Sequence, residues 1–163
     1  RRWALSWRKE SRFSAELAET RVGSQKVRFI RPTSFMNESG NSVASIADYF
    51  DIPPEQVLVM HDELDLLPGT VRVKRAGGHG GHNGLRDIFT KLGSRDFVRL
   101  RIGIGHPGHP DDVTDWVLSK PLKEELNMID RGIDQALDHF EALISGNIEA
   151  VMKSLHTPAG KVT

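Results

Sequence analysis

The sequence predicts an α/β fold of three layers, in which helices flank a mixed, mostly parallel sheet. Short β-branched or aromatic runs alternate along the chain with segments whose apolar residues recur every three or four positions. The length of 163 residues suits one domain with a single core. No repeat and no long Gly/Ser/Pro linker marks a boundary, so we expect a single domain over residues 1–163.

The first half of the chain is predicted to begin with a β-hairpin. Residues 13–22 and 27–30 carry the strand pattern, and Gly23-Ser24 between them forms a turn. A helix follows over 39–50, where apolar residues recur at helical spacing after Ser39. Short apolar or alternating runs then predict two strands, at 57–60 and 71–74.

The second half is predicted to hold one strand and several helices. A short helix over 85–92 follows a glycine-rich loop, and the strand at 98–104 alternates so that Arg99 and Arg101 share a face. Further helices are predicted from Asp111 or Asp112 through Leu118, over 122–144 and over 147–155. The core stripe expected for the longest of them is Leu126, Ile129, Ile133, Leu137, Phe140 and Ile144.

Composition excludes several kinds of protein. No run of about 18 apolar residues predicts a membrane span, and no secretory signal pattern opens the chain. The sequence has no cysteine, which excludes disulfides, thiol nucleophiles and thiolate metal sites and fits a cytoplasmic protein.

Charge is separated along the chain although the formal net charge is zero. Residues 71–107 hold eight Lys or Arg against two Asp, a net of +6, and residues 111–150 hold ten carboxylates against three bases, a net of −7. Salt screens charge beyond about 8–10 Å, so the basic stretch can attract a phosphate backbone. The alternative is two solvated faces without a ligand. The basic residues are Arg72, Lys74, Arg75, Arg86, Lys91, Arg95, Arg99 and Arg101.

A glycine-rich loop at 77–87 reads Gly-Gly-His-Gly-Gly-His-Asn-Gly-Leu-Arg-Asp. Five glycines within eight residues lose much conformational entropy on folding, which suggests positive φ angles or close ligand approach. A loop of this kind that opens a helix presents backbone N–H groups to an anion, such as a phosphate or a carboxylate. A purely structural turn is the alternative.

Asp62 follows an apolar strand at the sheet edge where ligands of α/β proteins usually bind. A carboxylate at that place can orient an imidazole and stabilise its charged form, or it can simply cap a turn. We interpret Glu63 and Asp65 as solvated turn residues. His61, His79 and His82 with Asp62 also allow a metal site, but their spacing matches no specific ligand pattern.

Two asparagines, Asn37 and Asn83, lie at loop-to-helix junctions. Each can cap its helix, or donate its amide N–H to an oxyanion or a bound carbonyl. Phe35 and Met36 are interpreted as core or pocket-lining residues. His106, His109, His139 and His156 are interpreted as surface or packing residues. From these residues alone the chain is a hydrolase or an anion-binding module.

Four stretches resemble the family of bacterial and organellar peptidyl-tRNA hydrolases. They lie at 32–40 (a Met-Asn-x-Ser-Gly segment), 61–69 (His-Asp-Glu-Leu-Asp), 77–87 (the glycine–histidine loop) and 99–107 (Arg-Leu-Arg-Ile-Gly-Ile-Gly-His-Pro). The resemblance covers roughly residues 13–155. It implies cleavage of the ester between a peptide and the 3′ ribose of tRNA during translation, by a cytoplasmic monomer that needs no metal or cofactor.

The resemblance also implies roles for single residues. The catalytic set is Asp62, which is similar to the aspartate that orients a catalytic histidine, with Asn37 and Asn83, which resemble the asparagines that hold the peptidyl part and the attacking water or oxyanion. Ala76 stands where the family usually has glycine, a departure expected to stiffen the loop. The residues that resemble substrate-binding positions are Phe35, Met36 and His82 near the tRNA 3′ end, Gly80 in the glycine-rich loop, and Arg72, Lys74 and Arg101 at tRNA phosphates.

Family members begin with a strand and a segment that carries the general-base histidine. No histidine precedes His61 here, so we expect that this strand and segment are missing and that the 163 residues alone release little peptide. Two other hypotheses are a non-catalytic RNA-binding module, such as a splicing cofactor, and an active hydrolase that uses His61 or His82 as its base.

Overall fold

The computed structural model describes residues 4–35, 38–106, 117 and 122–156. They group into two compact units, a first unit of Arg1–Val57 with Arg75–Val98 and a second unit of Leu58–Lys74 with Arg99–Thr163. The expectation of one domain therefore stays a prediction. Among the described residues, no helix has the length and apolar character needed to cross a membrane.

The first unit contains an antiparallel sheet of three strands in the order β1-β2-β3. These strands are β1 (Arg8–Glu10), β2 (Ala15–Val22) and β3 (Gln25–Pro32). Val22 pairs with Gln25 across the Gly23-Ser24 turn, and Gly23 has a φ of +61°, which glycine adopts without steric cost. The predicted hairpin is confirmed.

Helix α1 (Ser39–Tyr49) covers one end of that sheet, and α2 (Asn83–Leu92) completes the first unit. Ile46 of α1 packs with Phe13 and Ala15 in a buried cluster. The fully buried Ser42 donates its hydroxyl to the carbonyl oxygen of Ser14 at 2.9 Å, so its polar group is satisfied inside the core.

A second sheet has the strand order β4-β6-β5, namely β4 (Leu58–Glu63), β5 (Val71–Arg75) and β6 (Val98–Gly103). The backbone N–H groups of Val98 and Ile104 bond to the carbonyl oxygens of Val57 and Glu63. The bonded residues follow in the same order along both strands, so β4 and β6 are parallel. The bonds from Ala76 to Phe97 and from Gly103 to Thr70 run in opposite orders, so β5 and β6 are antiparallel.

The helices of the second unit are α3 (Lys123–Asp138), α4 (Phe140–Ile144) and α5 (Ile148–His156). The predicted helix over 122–144 is interrupted at His139, whose backbone N–H bonds to Ala136 three residues back in a tightened turn. The buried stripe also differs from the prediction: besides Ile129 and Phe140 it contains Gly132, Ala136 and Leu143. At Gly132 the reason is that the backbone of Gly69 lies so close that a Cβ there would be 2.8 Å from the Gly69 carbonyl oxygen.

The α/β class and the mixed sheet are confirmed. The prediction of mostly parallel pairing is not met by the described strands, because β1-β2, β2-β3 and β5-β6 are antiparallel and only β4-β6 is parallel. The helix predicted from Asp111 or Asp112 through Leu118 lies almost entirely outside the described residues.

Candidate functional site

The glycine-rich loop of the first unit turns at Gly80 and Gly81. These residues have φ angles of +56° and +80°, and the His82 N–H bonds to the His79 carbonyl oxygen at 2.9 Å. Two successive left-handed residues closed by that bond form a type I′ turn, which favours glycine at both positions. The site prediction included Gly80, and a Cβ at this exposed residue would meet no heavy atom within 4 Å. Turn geometry therefore explains Gly80 and Gly81 without a ligand.

His82, rather than Asn83, caps helix α2. Its Nδ1 accepts the backbone N–H of Leu85 at 3.2 Å, so a neutral His82 carries its proton on Nε2. Asn83 is the first helical residue and is exposed, and its side-chain amide bonds to none of the described residues. The capping interpretation of Asn83 is therefore wrong, and its amide is available to a ligand.

Ala76 adopts a left-handed backbone just before the loop, with a φ of +61°. Its N–H is held by the Phe97 carbonyl oxygen at 3.0 Å, and Gly77 follows with a φ of +103°. A Cβ in this region clashes with the following carbonyl group and costs about 1–2 kcal/mol. Ala76 is therefore a strained residue, at a position where the family that this chain resembles usually has glycine.

We expect Ala76→Gly to raise the free energy of unfolding by about 0.5–1 kcal/mol, since the strain removed exceeds the added chain entropy. Denaturant titration measures the change. The matched control is Ala150→Gly, at an exposed position within α5, which should instead lower stability by about 1 kcal/mol. A loss of stability in both variants would contradict the strain at Ala76.

A contact between α1 and α2 brings two of the predicted motifs together. The backbone N–H of Gly40 donates to the Asp87 Oδ2 atom at 2.7 Å. A Cβ on Gly40 would lie 2.7 Å from both the carbonyl carbon and Oδ2 of Asp87. Only glycine permits this approach, so the segment at 32–40 and the glycine–histidine loop meet through Gly40 and Asp87 in the first unit.

Phe35 precedes α1 and is 81% exposed, so it is not a core residue. An exposed aromatic ring next to a predicted pocket can stack on a nucleobase or pack against a ribose. Met36 and Asn37, the other predicted residues of this segment, lie outside the described residues.

His61 and Asp62 are the two residues before Glu63, the last residue of strand β4 in the second unit. The His61 Nδ1 atom lies 2.8 Å from the Asp62 carbonyl oxygen, a contact in which Nδ1 carries the proton and donates. Side chains alternate along a strand, so Asp62 faces away from the side shared by His61 and Glu63. Asp62 is half-buried at the strand end that sequence reasoning assigned to it.

Arg72 and Arg101 form a cross-strand pair of like charge. The bonds that join β5 to β6 give a register in which Arg72 lies opposite Arg101, and Lys74 lies opposite Arg99 on the same face. Like charges directly opposite each other in a sheet repel. The second unit therefore places four cations on one face, and each must be compensated by the protein or by a ligand.

Three of these cations have different surroundings. Arg101 donates Nε and Nη2 to a single oxygen, Oε1 of Glu63, both at 2.9 Å. Arg72 donates Nη1 to the Leu155 carbonyl oxygen at 3.2 Å, at the negative C-terminal end of α5. Lys74 is exposed and makes no ion pair with any described residue. The interpretation of Glu63 as a solvated turn residue is therefore wrong.

His156 lies against the edge strand β5. Its Nε2 accepts the backbone N–H of Val73 at 3.1 Å, which satisfies a group that the sheet leaves unpaired. Burial lowers the pKa of His156, and the nearby Arg72 and Arg101 lower it further. The imidazole therefore stays neutral near pH 7, as an acceptor must.

Not all of the predicted basic stretch is accessible. Arg99 is 1% exposed, so it cannot contact a phosphate from solvent, although its strand pattern resembles that of Arg101. Sequence reasoning also missed Gly40, Asp87 and Glu63 as positioning residues. All three belong to the quoted motifs, which is the only signal that the sequence offered for them.

Two shallow depressions lie among the described residues, and neither is lined by a predicted site residue. One, of about 270 Å³, is lined by Glu55, Arg75, Ala76, Asp96 and Val98. Within the part of the chain that the structure describes, no three His, Asp or Glu side chains are grouped as metal ligands would be.

Comparison with known proteins gives one consistent result. The family model described as peptidyl-tRNA hydrolase matches residues 1–162. A peptidyl-tRNA hydrolase of Halorhodospira halophila (strain DSM 244 / SL1) is 47% identical over 156 residues, which cover 96% of this chain and 80% of the relative. One from Ruthia magnifica subsp. Calyptogena magnifica is 46% identical over 95% of this chain and 81% of its own length.

Solved structures agree with the sequence matches. The crystal structure of peptidyl-tRNA hydrolase from Acinetobacter baumannii superposes with a TM-score of 0.92 at 38% identity, over 96% of this chain and 79% of that one. A peptidyl-tRNA hydrolase in complex with N-propanol gives a TM-score of 0.94 at 37% identity, over 98% and 81% of the two chains. The expectation of a missing N-terminal segment is not supported by these comparisons.

Proposed function

The chain belongs to the peptidyl-tRNA hydrolase family, and on that premise we propose that it hydrolyses the ester between a peptide and the 3′ ribose of tRNA. Water attacks the ester carbonyl carbon, the bond to the ribose oxygen breaks, and the tRNA hydroxyl takes a proton. The observation that carries the proposal is the exposed Asn83, presented at the start of α2 by the glycine turn, in a chain whose family match spans residues 1–162.

Side chains at the start of α2 are assigned to polar contacts of the reaction. We assign Asn83 to the oxyanion or the attacking water, because an exposed amide at a helix start can donate to developing negative charge. His82, whose Nδ1 caps α2, keeps the role near the tRNA 3′ end that the family resemblance gives it. Phe35 is assigned to the tRNA 3′ end on the strength of its exposed ring, and Met36 and Asn37 keep the roles that the family resemblance gives them.

We assign Asp62 as the residue that orients and charges an imidazole general base, the role that the family resemblance gives it. The sequence contains no histidine before His61. His61 is a poor substitute, because its Nε2, the nitrogen that remains basic while Nδ1–H donates to the Asp62 carbonyl oxygen, is buried.

A peptide-release assay tests the activity. Peptidyl-tRNA is incubated with the 163-residue chain and, separately, with the same chain preceded by the N-terminal segment of a relative such as the Halorhodospira protein. Release by either form supports the proposed function. Release by neither form, with tRNA still bound, would favour the non-catalytic RNA-binding alternative, which the family match does not favour.

We assign Lys74, Arg72 and Arg101 to phosphates of the tRNA. Lys74 is the exposed member of the group and is therefore expected to contribute most to binding from solvent. We further propose that the protein acts in the cytoplasm, where its substrate is made, and as a monomer.

Lys74→Ala should weaken binding of deacylated tRNA by about three- to tenfold at low salt and reduce the slope of log K against log salt by about one. Filter binding at several salt concentrations measures both. Lys91→Ala, which removes an exposed lysine from α2, is the matched control and should change neither quantity as much. Equal effects of Lys74→Ala and Lys91→Ala on tRNA binding would contradict the assignment of Lys74 to a tRNA phosphate.

A further inference from the structure

The Glu63–Arg101 ion pair occupies the same basic face that the proposed function assigns to RNA phosphate. Both nitrogens of the Arg101 fork, Nε and Nη2, converge on one oxygen of Glu63, at 2.9 Å each. The second Glu63 oxygen has only a 3.5 Å contact with the backbone N–H of Asp65. A guanidinium group binds best to an anion whose two oxygens each accept one of its N–H groups. In this pair both nitrogens contact one oxygen, so the bidentate geometry is not formed.

The two side chains remain accessible to a competing anion. The Arg101 side chain is 24% exposed and the Glu63 side chain 19% exposed. Arg101 also lies opposite Arg72 in the sheet, and Lys74 is on the same face. An anion that arrives there is attracted by three cations, whereas Glu63 contacts one.

We propose that Glu63 is an internal competitor of RNA phosphate: it holds Arg101 in the free protein and is displaced when a tRNA phosphate takes the guanidinium. The inference rests on the proposed function and adds a regulatory role for a residue outside the catalytic set. While paired, Arg101 contributes little to non-specific attraction of polyanions. A phosphate must be positioned by the rest of the substrate to displace the carboxylate, so Glu63 lowers affinity and favours ligands that also fit elsewhere.

The test is binding of deacylated tRNA to the full chain, measured at several salt concentrations. Glu63→Gln keeps the shape of the side chain and removes its charge. It should tighten binding about three- to tenfold at low salt and steepen the slope of log K against log salt by about one, as expected for one more phosphate contact. Asp65→Asn is the matched control, because it removes one exposed charge two residues away without touching Arg101.

A double-mutant cycle shows whether the effect acts through Arg101. In an Arg101→Ala background, Glu63→Gln should no longer tighten binding. Weaker or unchanged binding by Glu63→Gln, or the same gain in both backgrounds, would overturn the proposal. If Glu63→Gln fails to fold, Glu63→Asp, which retracts the carboxylate, should give a smaller gain in the same direction, and the lack of any gain would overturn the proposal equally.

The peptide-release assay separates this inference from the proposed function. If the unmodified protein releases peptide but Glu63→Gln does not bind tRNA more tightly, the hydrolase function is supported and the competitor role of Glu63 is contradicted. A gain that depends on Arg101, in a protein that releases no peptide in either form, would support the competitor role and remove the hydrolase function.

Discussion

Asp62→Asn is expected to lower kcat for peptide release by about 10²–10⁴-fold. The amide has the shape of the carboxylate but carries no charge, so it neither fixes the tautomer of a neighbouring imidazole nor stabilises its protonated form. The assay uses whichever form of the chain releases peptide. Binding of deacylated tRNA should change by no more than about twofold, because Asp62 is not among the residues assigned to phosphate.

Asp65→Asn is the control for Asp62→Asn. Asp65 is exposed in the turn that follows β4, and the loss of its charge should leave kcat within about twofold of the unmodified protein. Activity of Asp62→Asn within about threefold of the unmodified protein would exclude Asp62 as the orienting carboxylate. A fall in tRNA binding as large as the fall in kcat would indicate damage to the fold instead.

Gly40→Ala should lower the free energy of unfolding by about 1–3 kcal/mol, the usual cost of an overpacked core. Its Cβ would lie 2.7 Å from the carbonyl carbon of Asp87, and a backbone atom cannot move aside without shifting α1 away from α2. The bond from the Gly40 N–H to the Asp87 carboxylate would be strained by the same shift. For a chain of this size, thermal unfolding should register a fall in Tm of about 3–10 °C.

The matched control for Gly40→Ala is Gly78→Ala in the glycine-rich loop. A Cβ at Gly78 meets no heavy atom within 4 Å, so its effect on stability should stay within about 0.5 kcal/mol. Gly40→Ala should also lower kcat in the residual folded protein, because Asn83 lies one helical turn before Asp87. Equal melting temperatures for the two variants would contradict a tight α1–α2 contact.

Local pattern was sufficient for most elements of the fold. The hairpin of β2 and β3, the helix α1, and the strands β5 and β6 follow from turn residues and from the spacing of apolar side chains. The break at His139 and the buried stripe of α3 did not follow. The burial of Gly132 in that stripe reflects its close approach to the backbone of Gly69, a contact between residues 63 positions apart that no local pattern encodes.

The candidate site was likewise predicted only in part from the sequence. Asp62, Asn83 and His82 could be singled out from their residue types and their positions at element ends. The structure changed the interpretation of their neighbours. His82, and not Asn83, caps α2, and Glu63 forms an ion pair with Arg101. Arg99 and Arg101 look equivalent in the sequence, yet one is buried and the other is accessible.

The sequence by itself determined the family, the α/β class and the motifs that carry the chemistry, because each depends on residue types at short, fixed spacings. Only the tertiary structure decided which of those residues face solvent, which meet each other and which compensate charge. It brought Gly40 to Asp87, placed Arg72 opposite Arg101 and directed the imidazole of His156 at the edge of β5. The physical reason is that burial and pairing depend on contacts between residues far apart in the chain, and strand register sets those contacts.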